Sequence, residues 1–175
     1  MMASASKVYL DYDQQELDDQ YNQHVLVPNA EDYIAEDKAE STRVRKTYEC
    51  QLDVVYGSSE DQKLDVFPAS KPGARIVVYM HGGAWTRSDK SIESFMGEGF
   101  IRAGAAFVSV NFSLCPKVSL DELIRQAREA VVWAYGNAAT FNGDPEQFYI
   151  AGHSSGGHVG GMMVVTDWPK VHGLP

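Results

Sequence analysis

Gly152-His153-Ser154-Ser155-Gly156 stands between an apolar run, residues 147–151, and a stretch of small residues that continues to about Val165. An apolar run that meets glycine and then a helix-compatible segment predicts a buried strand turning sharply into a helix. In such a turn the central residue adopts a strained backbone conformation that lifts its side chain above the sheet. We therefore expect the Ser154 hydroxyl at the tip of the turn, close to the positive end of the helix that follows.

A second glycine-containing turn, His81-Gly82-Gly83-Ala84-Trp85, follows another apolar run at residues 75–80. Glycine lets the backbone approach a bound group closely, and the free N–H groups of such a loop can stabilise a developing negative charge. Both turns come at the carboxyl ends of predicted parallel strands, where ligand sites form in α/β proteins. The motif at 152–156 alone fits a turn that merely packs a helix on a sheet, but the two turns together favour a catalytic site.

The rest of the pattern predicts an α/β fold in which helices flank a mostly parallel sheet. Residues 105–110 form a third apolar run, and such runs are typical of strands buried on both faces. Helical spacing of apolar residues predicts helices over residues 91–103 and 120–135. Alternating apolar residues predict a β-hairpin that pairs residues 47–56 with residues 63–67.

We expect two parts in the chain, an acidic helical arm at residues 1–45 and an incomplete core domain at residues 46–175. A capping pair at Asp13 and Glu16, followed by apolar residues at every fourth position, predicts one helix in the arm. These apolar residues are Leu17, Tyr21 and Val25. The core is expected to lack C-terminal strands, because the sequence reaches a loop-like segment soon after its third parallel strand.

Composition excludes several classes of partner. The 175 residues include 15 Lys and Arg against 24 Asp and Glu, a formal charge of −9. This charge, without a basic cluster, opposes binding to phosphate backbones and anionic lipids, so neither nucleic acid nor a membrane is expected as a main partner. Cys50 and Cys115 are too few for a disulfide framework, and residues 1–19 lack the features of a signal peptide. We predict a soluble, cytoplasmic protein.

Three stretches resemble the α/β-hydrolase superfamily, and within it the kynurenine formamidase (arylformamidase) group and nearby carboxylesterases. They are Leu17-Asp18-Asp19-Gln20-Tyr21-Asn22, His81-Gly82-Gly83-Ala84-Trp85 and Ala151-Gly152-His153-Ser154-Ser155-Gly156-Gly157-His158. Residues 111–116 and 121–126 are also similar to the segment that leads into the next helix of that family.

The resemblance implies a serine hydrolase that acts on a small formamide or ester and needs no metal or organic cofactor. Ser154 would be the catalytic nucleophile. The backbone N–H groups that would form its oxyanion hole are those of Gly82, Gly83, Ala84 and Ser155. A formamidase would cleave N-formylkynurenine to kynurenine and formate, a step of tryptophan catabolism. Trp85 would line a pocket for an aromatic substrate, although a buried anchoring role is also open.

The acid and histidine of the triad follow the serine in this superfamily, on loops after later strands that this sequence does not contain. Asp167 and His172 come after Ser154 in the right order, but a helix of about ten residues carries the chain roughly 15 Å away from the turn. Packing or solvent exposure explains His24, His153 and His158 better. His81 belongs to the glycine loop, where a structural hydrogen bond is the expected role. We expect the 175-residue chain to be nearly inactive by itself.

Two alternatives stay open. The first is a carboxylesterase, because both motifs occur in that group too. The second is a catalytically dead remnant or interaction module, whose open strand at residues 148–151 would pair with a second copy or a complementing chain. A metal site at His153, His158 and Asp167 is not expected, because these residues lack the i, i+4 histidine spacing of zinc enzymes.

Overall fold

The computed structural model describes residues 6–175, which form two compact units, one ending at Asp37 and one spanning Lys38–Pro175. Two predictions begin outside this range, at residues 1–5: the arm over residues 1–45 and the absence of a signal peptide in residues 1–19. The arm boundary at residue 45 stays a prediction.

The first unit contains short helices rather than one long helix. They are α1 (Gln14–Tyr21), α2 (Gln23–Leu26) and the first part of α3 (Ala30–Thr47). The predicted capping box is confirmed, since the Asp13 carboxylate accepts the Glu16 N–H at 3.0 Å and the Glu16 carboxylate accepts the Asp13 N–H at 2.8 Å. The single predicted helix is wrong. Asn22 ends α1 and accepts the His24 N–H with its side chain, and Pro28 has no N–H with which to continue α2.

The second unit is built on one five-stranded sheet. Its strands are β1 (Gln51–Val55), β2 (Lys63–Phe67), β3 (Ala74–Met80), β4 (Ala106–Val110) and β5 (Gly143–Gly152). Their order across the sheet is β1-β2-β4-β3-β5. β1 and β2 form the predicted antiparallel hairpin, and β2 also pairs antiparallel with β4. β4, β3 and β5 run parallel to one another, which confirms the predicted α/β architecture.

Helices cover both faces of this sheet. They are the end of α3, α4 (Glu98–Arg102), α5 (Leu120–Gly136), α6 (Ser155–Val164) and α7 (Trp168–His172). Side chains of β3 alternate between two apolar cores, as expected for a strand buried on both faces. Ile76 and Val78 join the core under α5 and α6, whereas Val77 and Tyr79 join the core with Val44 of α3.

Two predicted elements differ in extent. The helix predicted over residues 91–103 is a 3-10 turn, Ser94–Gly97, followed by the short helix α4. Glycine at positions 97 and 99 lowers helix propensity. Gly97 also packs closely on Phe107, so that a Cβ added at Gly97 would lie 2.5 Å from the Phe107 Cε1. β5 begins at Gly143, earlier than the apolar run suggested. The prediction that this run forms a buried strand is wrong, because β5 lies at one edge of the sheet, none of its residues is fully buried, and Tyr149 is 51% exposed. Across residues 6–175, no helix is both long and apolar enough to cross a membrane.

Candidate active site

The turn at Ser154 connects β5 directly to α6. Ser154 has φ 53° and ψ −123°, a conformation that residues with a Cβ rarely adopt. Its side chain is exposed, and within residues 6–175 the Oγ makes no hydrogen bond. Glycine closes the turn, because a Cβ on Gly152 would lie 2.6 Å from the carbonyl carbon of Gly156. The turn therefore presents a free hydroxyl from a strained and tightly closed backbone.

The two sequence motifs lie at the same rim of the sheet. β3 and β5 are neighbouring parallel strands, and their last paired residues are Met80 and Gly152. The turns that follow them touch: the His153 N–H lies 3.4 Å from the Met80 carbonyl oxygen, and a Cβ on Gly82 would be 3.3 Å from the Ser154 Cβ. The sequence thus folds the glycine loop directly beside the serine.

The glycine loop exposes unsatisfied backbone donors. Gly83, Ala84 and Trp85 have successive positive φ angles of 101°, 53° and 62°. In the described part of the chain, neither the Gly83 nor the Ala84 N–H donates a hydrogen bond, whereas the Trp85 N–H donates to Ser155 Oγ at 3.3 Å. Ser155 is the first residue of α6, so its N–H has no acceptor within the helix. Three N–H groups are thus free at this rim.

Gly82 differs from the expectation. Its N–H donates to the carboxylate of Glu93, at 3.1 Å to Oε1 and 3.3 Å to Oε2. A donor held by a buried carboxylate is not available to a bound oxyanion. The candidate donors are therefore Gly83, Ala84 and Ser155, without Gly82.

His81 lies beneath the loop and has a structural contact rather than a catalytic one. It is buried and stacks on Phe112, with ring centroids 4.5 Å apart. Its Nδ1 lies 2.8 Å from the Gly82 carbonyl oxygen, so this nitrogen carries the proton and donates it. Burial lowers the pKa of His81, although the nearby Glu93 opposes the shift. His81 is thus a neutral donor that orients the backbone of Gly82.

The other candidate histidines also have partners away from Ser154 Oγ. His158 accepts the indole N–H of Trp85 at 3.3 Å, and the two rings meet edge to face at 5.6 Å. His172 packs against Trp168, and Asp167 caps α7 by accepting the Lys170 N–H. Within residues 6–175 no histidine forms a hydrogen bond with the Ser154 hydroxyl.

Trp85 is half-buried and packs against the apolar core while its N–H contacts His158. This arrangement supports its anchoring role, and its place in a substrate pocket stays a prediction. Among the described residues, no three His, Cys, Asp or Glu side chains come together as a metal ion would require.

Sequence reasoning missed an ionic cluster that includes Asp65 of β2 and Lys90. The Asp65 carboxylate is fully buried and pairs with Arg45 and with Lys90 Nζ, which lies 2.7 Å away. Lys90 also pairs with Asp53 at 2.7 Å. The cluster borders a cavity of about 520 Å³ whose lining does not include Ser154. Nothing in the spacing of these residues along the chain indicated that they would meet.

A strained serine between a parallel strand and a helix, beside a loop with free N–H groups, is the arrangement of an α/β hydrolase, and the sheet has that fold. The chain belongs to the BD-FAE family, which matches residues 64–171. It is therefore related to hydrolases, and its relatives include formamidases and esterases.

Three known proteins illustrate the relationship. The kynurenine formamidase of Danio rerio is 33% identical over 144 residues, covering 78% of this chain and 48% of that protein. The isoprenylcysteine alpha-carbonyl methylesterase of Arabidopsis thaliana is 26% identical over 119 residues, covering 67% and 28%. A crystal structure from Silicibacter sp. TM1040 superposes with a TM-score of 0.76 at 31% identity, covering 89% of this chain and 57% of that one. The chain spans about half the length, or less, of the curated relatives it matches.

Proposed function

We propose that this chain carries the nucleophile and the oxyanion hole of a serine hydrolase. The observation that supports this most strongly is the free hydroxyl of Ser154 beside the unsatisfied N–H groups of Gly83 and Ala84. Ser154 Oγ would attack a carbonyl carbon, and the oxygen of the resulting tetrahedral intermediate would accept hydrogen bonds from Gly83, Ala84 and Ser155. Donors placed in advance at this position typically contribute about 10²–10³ to the rate each.

The preferred substrate is a formamide, with N-formylkynurenine as the leading example. Attack by Ser154 would give a formyl-enzyme and release the aromatic amine of kynurenine, and water would then release formate. Similarity to a kynurenine formamidase supports this choice. Similarity to a methylesterase supports the alternative, a carboxylesterase that acts on small esters.

Attack by serine requires a base, and none of the described residues forms a hydrogen bond with the Ser154 hydroxyl. Loss of the histidine from a serine protease lowers turnover by about 10⁶-fold. We therefore infer that the 175-residue chain turns over substrate very slowly, because it presents a nucleophile and donors without the group that removes the proton.

The nucleophile can be tested by labelling with a fluorophosphonate probe, with and without added imidazole as an external base. We expect slow labelling that imidazole accelerates and that peptide mapping locates at Ser154. Ser154→Ala should abolish this labelling. Ser70→Ala is the matched control, since it removes an exposed serine hydroxyl that lies outside both turns. Equal labelling of wild type and Ser154→Ala would refute the proposed nucleophile, and rapid labelling without imidazole would refute the proposed low activity.

The substrate class can be tested in the same imidazole-supplemented solution. Hydrolysis of N-formylkynurenine and of a short-chain aryl ester is measured for the wild type, and the rate found with Ser154→Ala is subtracted. We expect a Ser154-dependent rate with the formamide. A Ser154-dependent rate with the ester alone would favour the carboxylesterase.

A further inference from the structure

Glu93 lies beneath the glycine loop and belongs to neither sequence motif. It is buried, and its carboxylate accepts the Tyr79 O–H at 2.7 Å, the Ser88 O–H at 3.2 Å and the Gly82 N–H at 3.1 Å. All three partners donate, which is the pattern of an ionised carboxylate that can only accept. Glu93 therefore ties the last part of β3 to both ends of the loop over residues 82–88.

Glu93 and His81 together hold both polar backbone atoms of Gly82. Glu93 accepts its N–H, and His81 Nδ1 donates to its carbonyl oxygen at 2.8 Å. In a trans peptide the carbonyl and the following N–H point in opposite directions. Fixing the Gly82 carbonyl toward His81 therefore also fixes the direction of the Gly83 N–H.

The loop needs such support because its backbone is strained. Ala84, Trp85 and Ser88 have φ angles of 53°, 62° and 73°. Residues with a Cβ stay in this region only where surrounding contacts hold them. Burial, and then the hydrogen bond to Glu93, raise the pKa of Tyr79, so its hydroxyl remains a protonated anchor for the carboxylate.

We propose that Glu93 is a positioning residue of the oxyanion hole. Glu93 holds the N–H of Gly82 while His81 holds its carbonyl oxygen, and the two contacts together direct the N–H groups that follow, those of Gly83 and Ala84, toward a carbonyl oxygen bound at Ser154. The role of this contact in catalysis rests on the proposed hydrolase function, whereas the contact itself can be measured without turnover.

The first measurement is the backbone amide signal of Gly82 in the full chain, with Glu93→Gln as the test variant. Glu98→Gln is the matched control, because Glu98 also accepts a tyrosine hydroxyl, that of Tyr48 at 3.0 Å, but its partners lie outside the loop. Glu93→Gln should move the amide proton signal of Gly82 upfield. It should also lower the protection of this proton from exchange by about tenfold or more, because a hydrogen bond to a charged group usually stabilises by a corresponding free energy. Glu98→Gln should leave the signal in place.

The second measurement is the imidazole-dependent rate at which the fluorophosphonate labels Ser154. A misplacement of about 1 Å can lower a rate by about a hundredfold, so we expect Glu93→Gln to label about ten to a hundred times more slowly. Glu98→Gln should stay within roughly twofold of the wild type, as for most surface substitutions. Equal rates for the two variants, or an unchanged Gly82 signal in folded Glu93→Gln, would overturn the proposal.

Tyr79→Phe keeps the test decisive if Glu93→Gln does not fold. It removes the hydroxyl that anchors the carboxylate but leaves the bond to Gly82, so it should weaken Gly82 protection and slow labelling to a smaller extent. Lower stability with unchanged Gly82 protection and unchanged labelling would contradict the positioning role. A Gly82 signal that responds to Glu93→Gln while wild-type Ser154 is never labelled would confirm the contact and reject the proposed hydrolase function.

Discussion

Gly156→Ala should separate the two turns that build the candidate site. A Cβ at this position would lie 2.6 Å from the His81 carbonyl oxygen and still closer to that of Met80. Real Cβ atoms stay beyond 3.0 Å, so the start of α6 must move at least 0.4 Å from His81 and farther from Met80. Overpacking of this kind costs about 1–3 kcal/mol of unfolding free energy. The same movement carries Ser154 away from the glycine loop, and we expect imidazole-dependent labelling to slow by about ten- to a hundredfold.

Gly161→Ala is the matched control in the same helix. No atom outside the helix backbone lies within 4 Å of a Cβ at Gly161, so the substitution adds helix propensity without a clash. It should raise the unfolding free energy by about 0.5–1 kcal/mol and leave the labelling rate unchanged. Urea unfolding and fluorophosphonate labelling of both variants give the comparison. Wild-type stability and labelling in Gly156→Ala, or equal damage from Gly161→Ala, would refute the argument that close contact at residue 156 aligns the site.

Three further predictions concern the supporting contacts. Asp65→Asn leaves Arg45 and Lys90 without their buried partner and should cost about 3–5 kcal/mol in urea unfolding, whereas Asp53→Asn, at an exposed side chain, should cost less than about 1 kcal/mol. The hydrogen bond from Arg43, then that from Tyr48, lowers the Glu98 pKa from 4.5 to about 2. Ionised Glu98 therefore stabilises the folded protein fully above pH 4.5, and this stabilisation is lost as the pH falls toward 2. The difference in urea midpoint between wild type and Glu98→Gln should shrink over that range. A constant difference would contradict this assignment. His81→Phe keeps a ring against Phe112 but removes the donor to the Gly82 carbonyl oxygen, whereas His81→Asn keeps a donor. Labelling of Ser154 should be slower in His81→Phe than in His81→Asn. The reverse order would argue against the role of His81 in orienting the Gly82 backbone.

The parts of the fold that the sequence predicts well are those with a strong local pattern. The apolar run of β3 and the long amphipathic segment of α5 each indicate their own structure. The buried residues of β3 follow one another as in a strand covered on both faces, and those of α5 recur at helical spacing. The arm was harder to predict. Its apolar residues, Leu17 and Tyr21, are spaced as in a helix but are not buried, so packing does not join α1 and α2 across Asn22. Asn22 and Pro28, which interrupt helical structure, decide where the helices of the arm end.

The supporting residues of the site could not be found by the same route. Glu93 contacts Gly82 across 11 positions in sequence, and Asp65 meets Arg45 across 20. Both contacts depend on how β3 and β2 are placed in the sheet, which no local sequence pattern specifies. The motif residues were visible because their backbone conformation restricts their residue types. A supporting residue such as Glu93 needs only a carboxylate that can reach its hydrogen-bond partners, so the surrounding sequence carries no recognisable pattern.

The two turns of the candidate site are formed by contacts among described residues, whereas the proposed mechanism also needs a base. The proposed nucleophile and its candidate donors come from two turns after neighbouring strands. The contacts that shape these turns include the hydrogen bonds of Glu93 within residues 79–93 and the close approach of Gly156 to His81 between the turns. The proposed mechanism takes its base from elsewhere, because His81 is held by Gly82, His158 is held by Trp85, and no described histidine forms a hydrogen bond with the Ser154 hydroxyl. Formation of the donor loop and supply of the base are therefore separable properties. Imidazole should accelerate Ser154 labelling without changing the Gly82 amide signal, and Glu93→Gln should change that signal whether or not imidazole is present.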